Sequence, residues 1–313
     1  MITVTIMGGL GNQLFQIFTT IAAALRNKDT FFFMQHDELP GSHGFSRYTY
    51  WSTLFRGLRK YLTPSTDVTE KMFQSLARWD EIGFHYTELP TETLKYTKPL
   101  RLHGYFQSYR YFNDNFAEIC ELIQLKQQQN WIKQIYGNES WSNEYIGNSN
   151  KKRILVSTHF RIGDYKHLSH IHPLMSAEYY YRAINQIISG NHDKNASYTF
   201  LVFYEPCDKE TVSKNIADIN RRCSTDINGP AYGRDIQFHF VRDTIVDWQQ
   251  LLLMSVCDHN IIANSTFSWW GAYLNANPKK VVCYPSLWFA AGVSHDTRDM
   301  FPEAWKKINV NPS

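Results

Sequence analysis

The sequence predicts an α/β protein of two domains with a ligand cleft between them. Its 313 residues are about twice an ordinary domain length. Short apolar runs alternate with longer amphipathic stretches, the pattern of βαβ units and a mostly parallel sheet. Polar or glycine-rich loops follow several of the apolar runs directly, and open α/β sheets bind ligands beyond the carboxyl ends of their strands.

Residues 2–7 read as a buried strand. Residues 13–26 read as a helix, with Leu14, Ile17, Phe18, Ile21 and Leu25 on one face. A second strand is expected at 30–34. Residues 35–100 look irregular and aromatic, and 113–136 look helical. The stretch 137–150 is rich in Asn, Ser and Gly, which is linker chemistry, so domains of 1–150 and 151–313 are expected. Strands then follow at 153–158, 198–203, 236–241, 260–263 and 280–284. Helices are expected at 176–189, 208–222, 247–257 and 269–276. No repeat of fixed period is apparent.

Composition narrows the function. Hydrophobic residues make up 43% of the chain, enough for a core and against disorder. The formal net charge of +3 argues against a nucleic-acid binder. Aromatic residues reach 15%, which fits core packing and also platforms for a sugar or base. Cys120, Cys207, Cys223, Cys257 and Cys283 are widely spaced and give neither a disulfide framework nor a zinc ribbon. The start, Met1-Ile2-Thr3-Val4, has no basic region or cleavage site, and no apolar run has membrane-spanning length. A cytoplasmic protein is expected, and the Asn138, Asn195 and Asn264 sequons are then chance matches.

Three loops carry chemistry. Gly8-Gly9-Leu10-Gly11-Asn12-Gln13 joins a strand to a helix, where backbone N–H groups can meet phosphate. It lacks the third glycine of a dinucleotide fingerprint and the Lys of a Walker loop, and it also reads as a plain tight turn. In Thr158-His159-Phe160-Arg161-Ile162-Gly163-Asp164-Tyr165, strand alternation points His159 and Arg161 the same way. A guanidinium fork there suits a diphosphate, while Asp164 could take a proton, orient the arginine or simply pair with it. Asn264-Ser265-Thr266-Phe267-Ser268-Trp269-Trp270 offers N-cap residues for a phosphate-binding helix start, or for a helix that is merely capped. His167, His170 and His172 have metal-like spacing, but no cysteine accompanies them and Asp164 is the nearest carboxylate. No Asp-x-Asp occurs, so no metal site is expected, and arginine and helix starts would neutralise a diphosphate.

Together these motifs resemble glycosyltransferase family 11, the α-1,2-fucosyltransferases. The resemblance rests on Gly8-Gly-Leu-Gly-Asn-Gln-Leu-Phe-Gln16, Gly104-Tyr-Phe-Gln-Ser-Tyr-Arg-Tyr-Phe112, His159-x-Arg161-x-Gly163-Asp164-Tyr165, Asn264-Ser-Thr-Phe-Ser-Trp-Trp-Gly-Ala272 and Tyr284-Pro-Ser-Leu-Trp288. It implies a GT-B-type fold, with two Rossmann-like domains facing a central cleft. It also implies transfer of L-fucose from GDP-β-L-fucose to the 2-hydroxyl of a galactoside, with inversion and without metal or further cofactor. Arg161 is then the diphosphate ligand. Ile162 stands where the family has a second arginine. Gly9, Gly11, Asn12, Gln13 and Asn264 to Ser268 fall near the donor, and His159 or Asp164 is the candidate base. The acceptor, a galactose-ended glycan, is expected against Tyr105, Phe106, Tyr109 and Tyr111, and a lipid-linked glycan would bring the protein to the inner membrane face. Two rivals remain at this point: a non-catalytic nucleotide-sugar or glycan binder, and an NAD-dependent oxidoreductase, against which the missing glycine argues.

Overall fold

The structure is a computed structural model that describes residues 1–40, 46–89, 99–137, 139 and 153–310. Most of the polar segment read as a boundary, 138 and 140–150, lies outside the described residues, as does the Asn138 sequon. The chain forms two compact units. The first is Met1–Gln128 with His295–Pro302, and the second is Gln129–Ser294 with Glu303–Ser313.

The first unit is built on β1 (Ile2–Val4) and α1 (Leu10–Arg26). The strand is shorter than expected, although Thr5 still donates to the Leu102 carbonyl. Helix α1 begins as soon as the Gly8-Gly9 turn allows and is buried on almost every side from Leu10 to Ala24, so it is a core helix. The stretch read as irregular contains β2 (Phe33–Gln35), β3 (Glu38–Leu39), β4 (Arg47–Tyr48), β5 (Leu62–Pro64), α2 (Asp67–Ser75) and β6 (Ala77–Asp80). Strand β7 (Leu100–His103) lies between β1 and β6, both pairings parallel. The carboxyl ends of β1, β6 and β7 therefore share one edge of that sheet. The expected helix at 113–136 is two, α3 (Phe116–Leu122) and α4 (Leu125–Tyr136). The break is at Gln124, which takes a φ of +57°, and the buried Gln128 amide secures it by donating to the Ile123 and Leu54 carbonyls.

The second unit carries β8 (Arg153–His159), α5 (Ala177–Ser189), β9 (Ser197–Phe203), α6 (Lys209–Thr225) and β10 (Asp235–Phe240). It continues with α7 (Asp247–Met254), β11 (His259–Ile261), α8 (Thr266–Tyr273), β12 (Val282–Pro285) and β13 (Lys306–Ile308). Strand β13 was not legible because only Ile308 of its three residues is buried. The six strands form one parallel sheet in the order β10-β9-β8-β11-β12-β13. From β8 the chain builds outward through β9 and β10, then returns to place β11, β12 and β13 on the other side. The topological switch point therefore lies between β8 and β11, where open α/β sheets bind ligands. The core beneath includes Val156, Tyr179, Tyr180, Ile184, Phe200 and Ile261. Among the described residues, no helix is long and apolar enough to cross a membrane.

Candidate active site

The switch point brings the second and third motifs together. Just beyond β8, Arg161 Nη2 donates to Asp164 Oδ1 at 2.5 Å, and Nη1 pairs with Glu205, which lies just past β9. Five N–H donors make up the fork, so these two carboxylates do not exhaust it. The guanidinium lies over the Tyr165 ring at 4.8 Å, and that ring stacks on His172 at 4.4 Å. The Tyr165 hydroxyl donates to the Asn264 carbonyl at 3.2 Å, tying the arginine loop to the residues that open α8. Beneath the loop, the buried Asp208 accepts from the Gly163 amide and from Lys166 Nζ, each at 2.6 Å. At Gly163 the φ is +29°, a conformation that favours glycine, and the Glu205 carboxylate lies close against the space a Cβ would fill. The result is a cationic fork on an aromatic support at a strand end, flanked by the start of a helix. Such an arrangement suits a diphosphate.

Buried polar atoms also converge here. Thr158 Oγ1, His159 Nδ1 and Asn264 Oδ1 have no hydrogen-bond partner among the described residues. Buried polar groups are ordinarily paired, so this concentration marks the site. Burial, with Arg161 nearby, lowers the His159 imidazole to about 3, so the ring is neutral across physiological pH. It is walled in at 7% exposure beside Phe267. That weakens His159 as the acceptor's base, and Asp164 is committed to Arg161. The unfolded chain protonates this histidine near its ordinary value of 6.5. Between about pH 3 and 6.5 the unfolded state therefore binds the extra proton, and stability should fall as pH falls through that window. His159→Gln should flatten this part of an acid-unfolding curve. A variant as acid-sensitive as the wild type would contradict the assignment.

Asn264 also holds the surrounding structure. Its Nδ2 donates to the Pro173 carbonyl at 2.9 Å and the Trp288 carbonyl at 3.2 Å, and the side chain is buried. It clamps two loops behind the site. Asn264→Ala removes a donor from both carbonyls and should cost about 1–3 kcal/mol in denaturant unfolding. An unchanged midpoint would refute the clamp. Ser265 is the N-cap of α8 without a side-chain cap bond, and the Ser268 hydroxyl turns back to the Ser265 carbonyl. The helix start thus presents backbone N–H groups, with Thr266 and Phe267 partly exposed. The histidines do not gather: among the described residues, the cluster with ligand atoms within 4.8 Å of one another is Glu205, Cys207 and Asp208. Two of its three members are already bound to Arg161 and Lys166.

The first motif forms a second polar cradle within the first unit. Gly9 is the N-cap of α1, and Gly11 is buried in its first turn. Gln13 Nε2 donates to the Gly8 and Tyr48 carbonyls at 3.1 and 2.8 Å. Gln16 accepts from the Met7 amide and donates to the Gly104 carbonyl, and Gln107 donates to Asn12 Oδ1 at 3.0 Å. Glu81, just past β6, accepts the Tyr105 and Phe106 amides on one oxygen at 2.7 and 2.9 Å. Residue types alone did not single out Glu81, Gln16, Gln107 or Glu205. Glu81 and Glu205 each lie one or two residues beyond a strand, which is the signal that could have found them. Tyr105 is exposed and Tyr109 partly so, but Phe106 and Tyr111 are fully buried. The last two support the cradle from beneath and cannot themselves be stacking platforms.

The chain belongs to glycosyl transferase family 11, whose family model matches residues 1–309. It is 34% identical over 140 residues to the Escherichia coli O-antigen biosynthesis glycosyltransferase WbnK, covering 43% of this chain and 39% of that one. It is 31% identical over 156 residues to an Escherichia coli alpha-1,2-colitosyltransferase, covering 49% and 47%. These matches span less than half of either relative. A Caenorhabditis elegans galactoside 2-alpha-L-fucosyltransferase is 24% identical over 322 residues, covering 99% of this chain and 80% of that one. Among solved structures, POFUT1 in complex with GDP-fucose aligns at 11% identity over 90% of this chain and 97% of that one, with a TM-score of 0.44.

Proposed function

We propose that the protein is an inverting α-1,2-fucosyltransferase, moving L-fucose from GDP-β-L-fucose to the 2-hydroxyl of a galactose-ended glycan. The observation that carries this reading is Arg161 at the switch point, with its guanidinium fixed by Glu205, Asp164 and Tyr165. As the glycosidic bond to GDP breaks, negative charge grows on the β-phosphate. A preorganised fork and the N–H groups at the start of α8 would stabilise it without a metal. Asp164 and Glu205 orient the arginine. The sugar departs through an oxocarbenium-like state, as in other glycosyl chemistry. The relatives' names support the linkage more consistently than the donor sugar: one is an alpha-1,2-colitosyltransferase and another a galactoside 2-alpha-L-fucosyltransferase. A cytoplasmic enzyme of this kind would meet its acceptor free or carried on lipid at the inner membrane face. The polar cradle of the first unit, with the exposed Tyr105 at its rim, is the proposed acceptor side.

A thermal-shift panel tests the donor. A ligand that binds only the folded state raises the melting temperature by mass action. GDP and GDP-fucose should raise it equally with and without EDTA, while NAD and UDP-galactose should leave it unchanged. A rise with NAD alone would overturn the donor assignment.

A further inference from the structure

We propose that Asp243 reads the nucleobase of the donor, accepting the two N–H donors that guanine carries side by side. This rests on the transfer reading above, and every residue it uses belongs to the second unit.

Sheet order sets where a nucleoside would lie. The chain starts at β8, builds outward through β9 and β10, and then crosses to β11. In parallel sheets of this order a phosphate sits at the end of the first strand. An acid at the end of the second meets the ribose, so the nucleoside runs outward. Arg161 and Glu205 stand at those two ends. The third strand is β10, and Asp243 follows its last residue, Phe240, after Val241 and Arg242. Neighbouring strands lie about 4.8 Å apart, so the end of β10 is about 10 Å from that of β8, which a nucleoside spans from phosphate to base.

Asp243 is mounted to meet a ligand. Its Oδ1 accepts from the Tyr204 hydroxyl at 3.0 Å. Tyr204 is itself buried, with its ring edge-on to Phe240 at 5.5 Å, so the carboxylate is anchored on the core while staying exposed. The other acids at this edge are occupied: Asp164 and Glu205 by Arg161, and Asp208 by Lys166. The loops leaving β11 and β12 begin Ile262-Ala-Asn-Ser265 and Ser286-Leu-Trp288, with no acid. Asp243 has no cationic partner among the described residues, and its neighbour Arg242 is turned to Glu139.

This arrangement selects the base. Guanine presents N1–H and its exocyclic amine as adjacent donors. A carboxylate accepts both in parallel, with its charge strengthening each bond. Adenine and uracil each set an acceptor beside a donor on that edge, which would face the carboxylate with a lone pair.

Calorimetric titration with GDP, inosine diphosphate, xanthosine diphosphate, ADP and UDP tests this. Wild type should prefer GDP to inosine diphosphate, which lacks the exocyclic amine, by about tenfold. Asp243→Asn keeps an oxygen for the Tyr204 hydroxyl but turns an amide towards the base. It should weaken GDP by about 10–10²-fold and abolish the preference over inosine diphosphate. It should also strengthen xanthosine diphosphate, whose carbonyl replaces the amine. GDP affinity within threefold of wild type would overturn the proposal, as would an equal loss for every nucleotide. If the variant melts lower, xanthosine diphosphate decides. Tighter binding than wild type shows cannot come from unfolding, and no gain would overturn the proposal. Wild type that binds GDP no better than ADP and UDP defeats the base reading alone. Wild type that binds no nucleoside diphosphate defeats the transfer reading beneath it.

Discussion

Arg161→Ala should leave the protein folded and cut transfer by about 10²–10³-fold, the usual cost of losing one donor to a developing oxyanion. The fold should survive because both carboxylate partners are accessible: the Glu205 side chain is 44% exposed and that of Asp164 49%. Ion pairs with partners this wet contribute little to stability, and freed carboxylates at the surface regain water. The loss should appear in kcat and in GDP affinity together, since the fork meets the phosphate before and during bond breaking. Arg161→Lys should not restore activity, because an ammonium cannot reproduce a planar fork laid on the Tyr165 ring. An active, folded Arg161→Ala variant would remove the central residue from the proposed chemistry.

Trp270→Ala should destabilise the fold by about 3–5 kcal/mol, more than the loss of any polar contact at the site. Whole domains are stable by only about 5–15 kcal/mol, so much of the variant should be unfolded or degraded in the cell. Trp270 is fully buried, 5.2 Å from the Trp269 ring centroid and 5.7 Å from that of Tyr273. Along α8 the buried residues run from Ser268 through Trp269, Trp270 and Gly271 to Ala272, so this short helix is held by its side chains rather than by amphipathic patterning. The helix start belongs to the candidate site, so surviving molecules should also bind donor less well. Denaturant unfolding checks the first part, and a loss below about 1 kcal/mol, far short of the usual cost of truncating a buried tryptophan, would contradict it.

The parts of the fold that were legible are those where one physical signal dominates. Strands β8 and β9 are continuous buried runs between polar turns, and their limits follow from the sequence to within one residue. The break in the 113–136 helix was hidden, because it depends on a left-handed Gln124 and a buried amide at Gln128 reaching back to Leu54. The exposed strand Ala77–Asp80 carries no apolar alternation, so Glu81 after it looked like loop. Arg161 was legible as a site residue because charge at the end of an apolar strand calls for a ligand or a partner. Its second partner, Glu205, follows another strand and meets it only through sheet order. The clamp made by the Asn264 amide was hidden in the same way, because the two carbonyls it meets, Pro173 and Trp288, are far from it in sequence.

The most direct measurement is product analysis from purified wild-type protein, GDP-fucose and lactose in the presence of EDTA. We expect GDP release matched by a fucosylated trisaccharide, with NMR placing an α linkage on the galactose 2-hydroxyl. GDP-fucose that binds but never turns over with any galactoside, or a product linked through another hydroxyl, would contradict the proposed function.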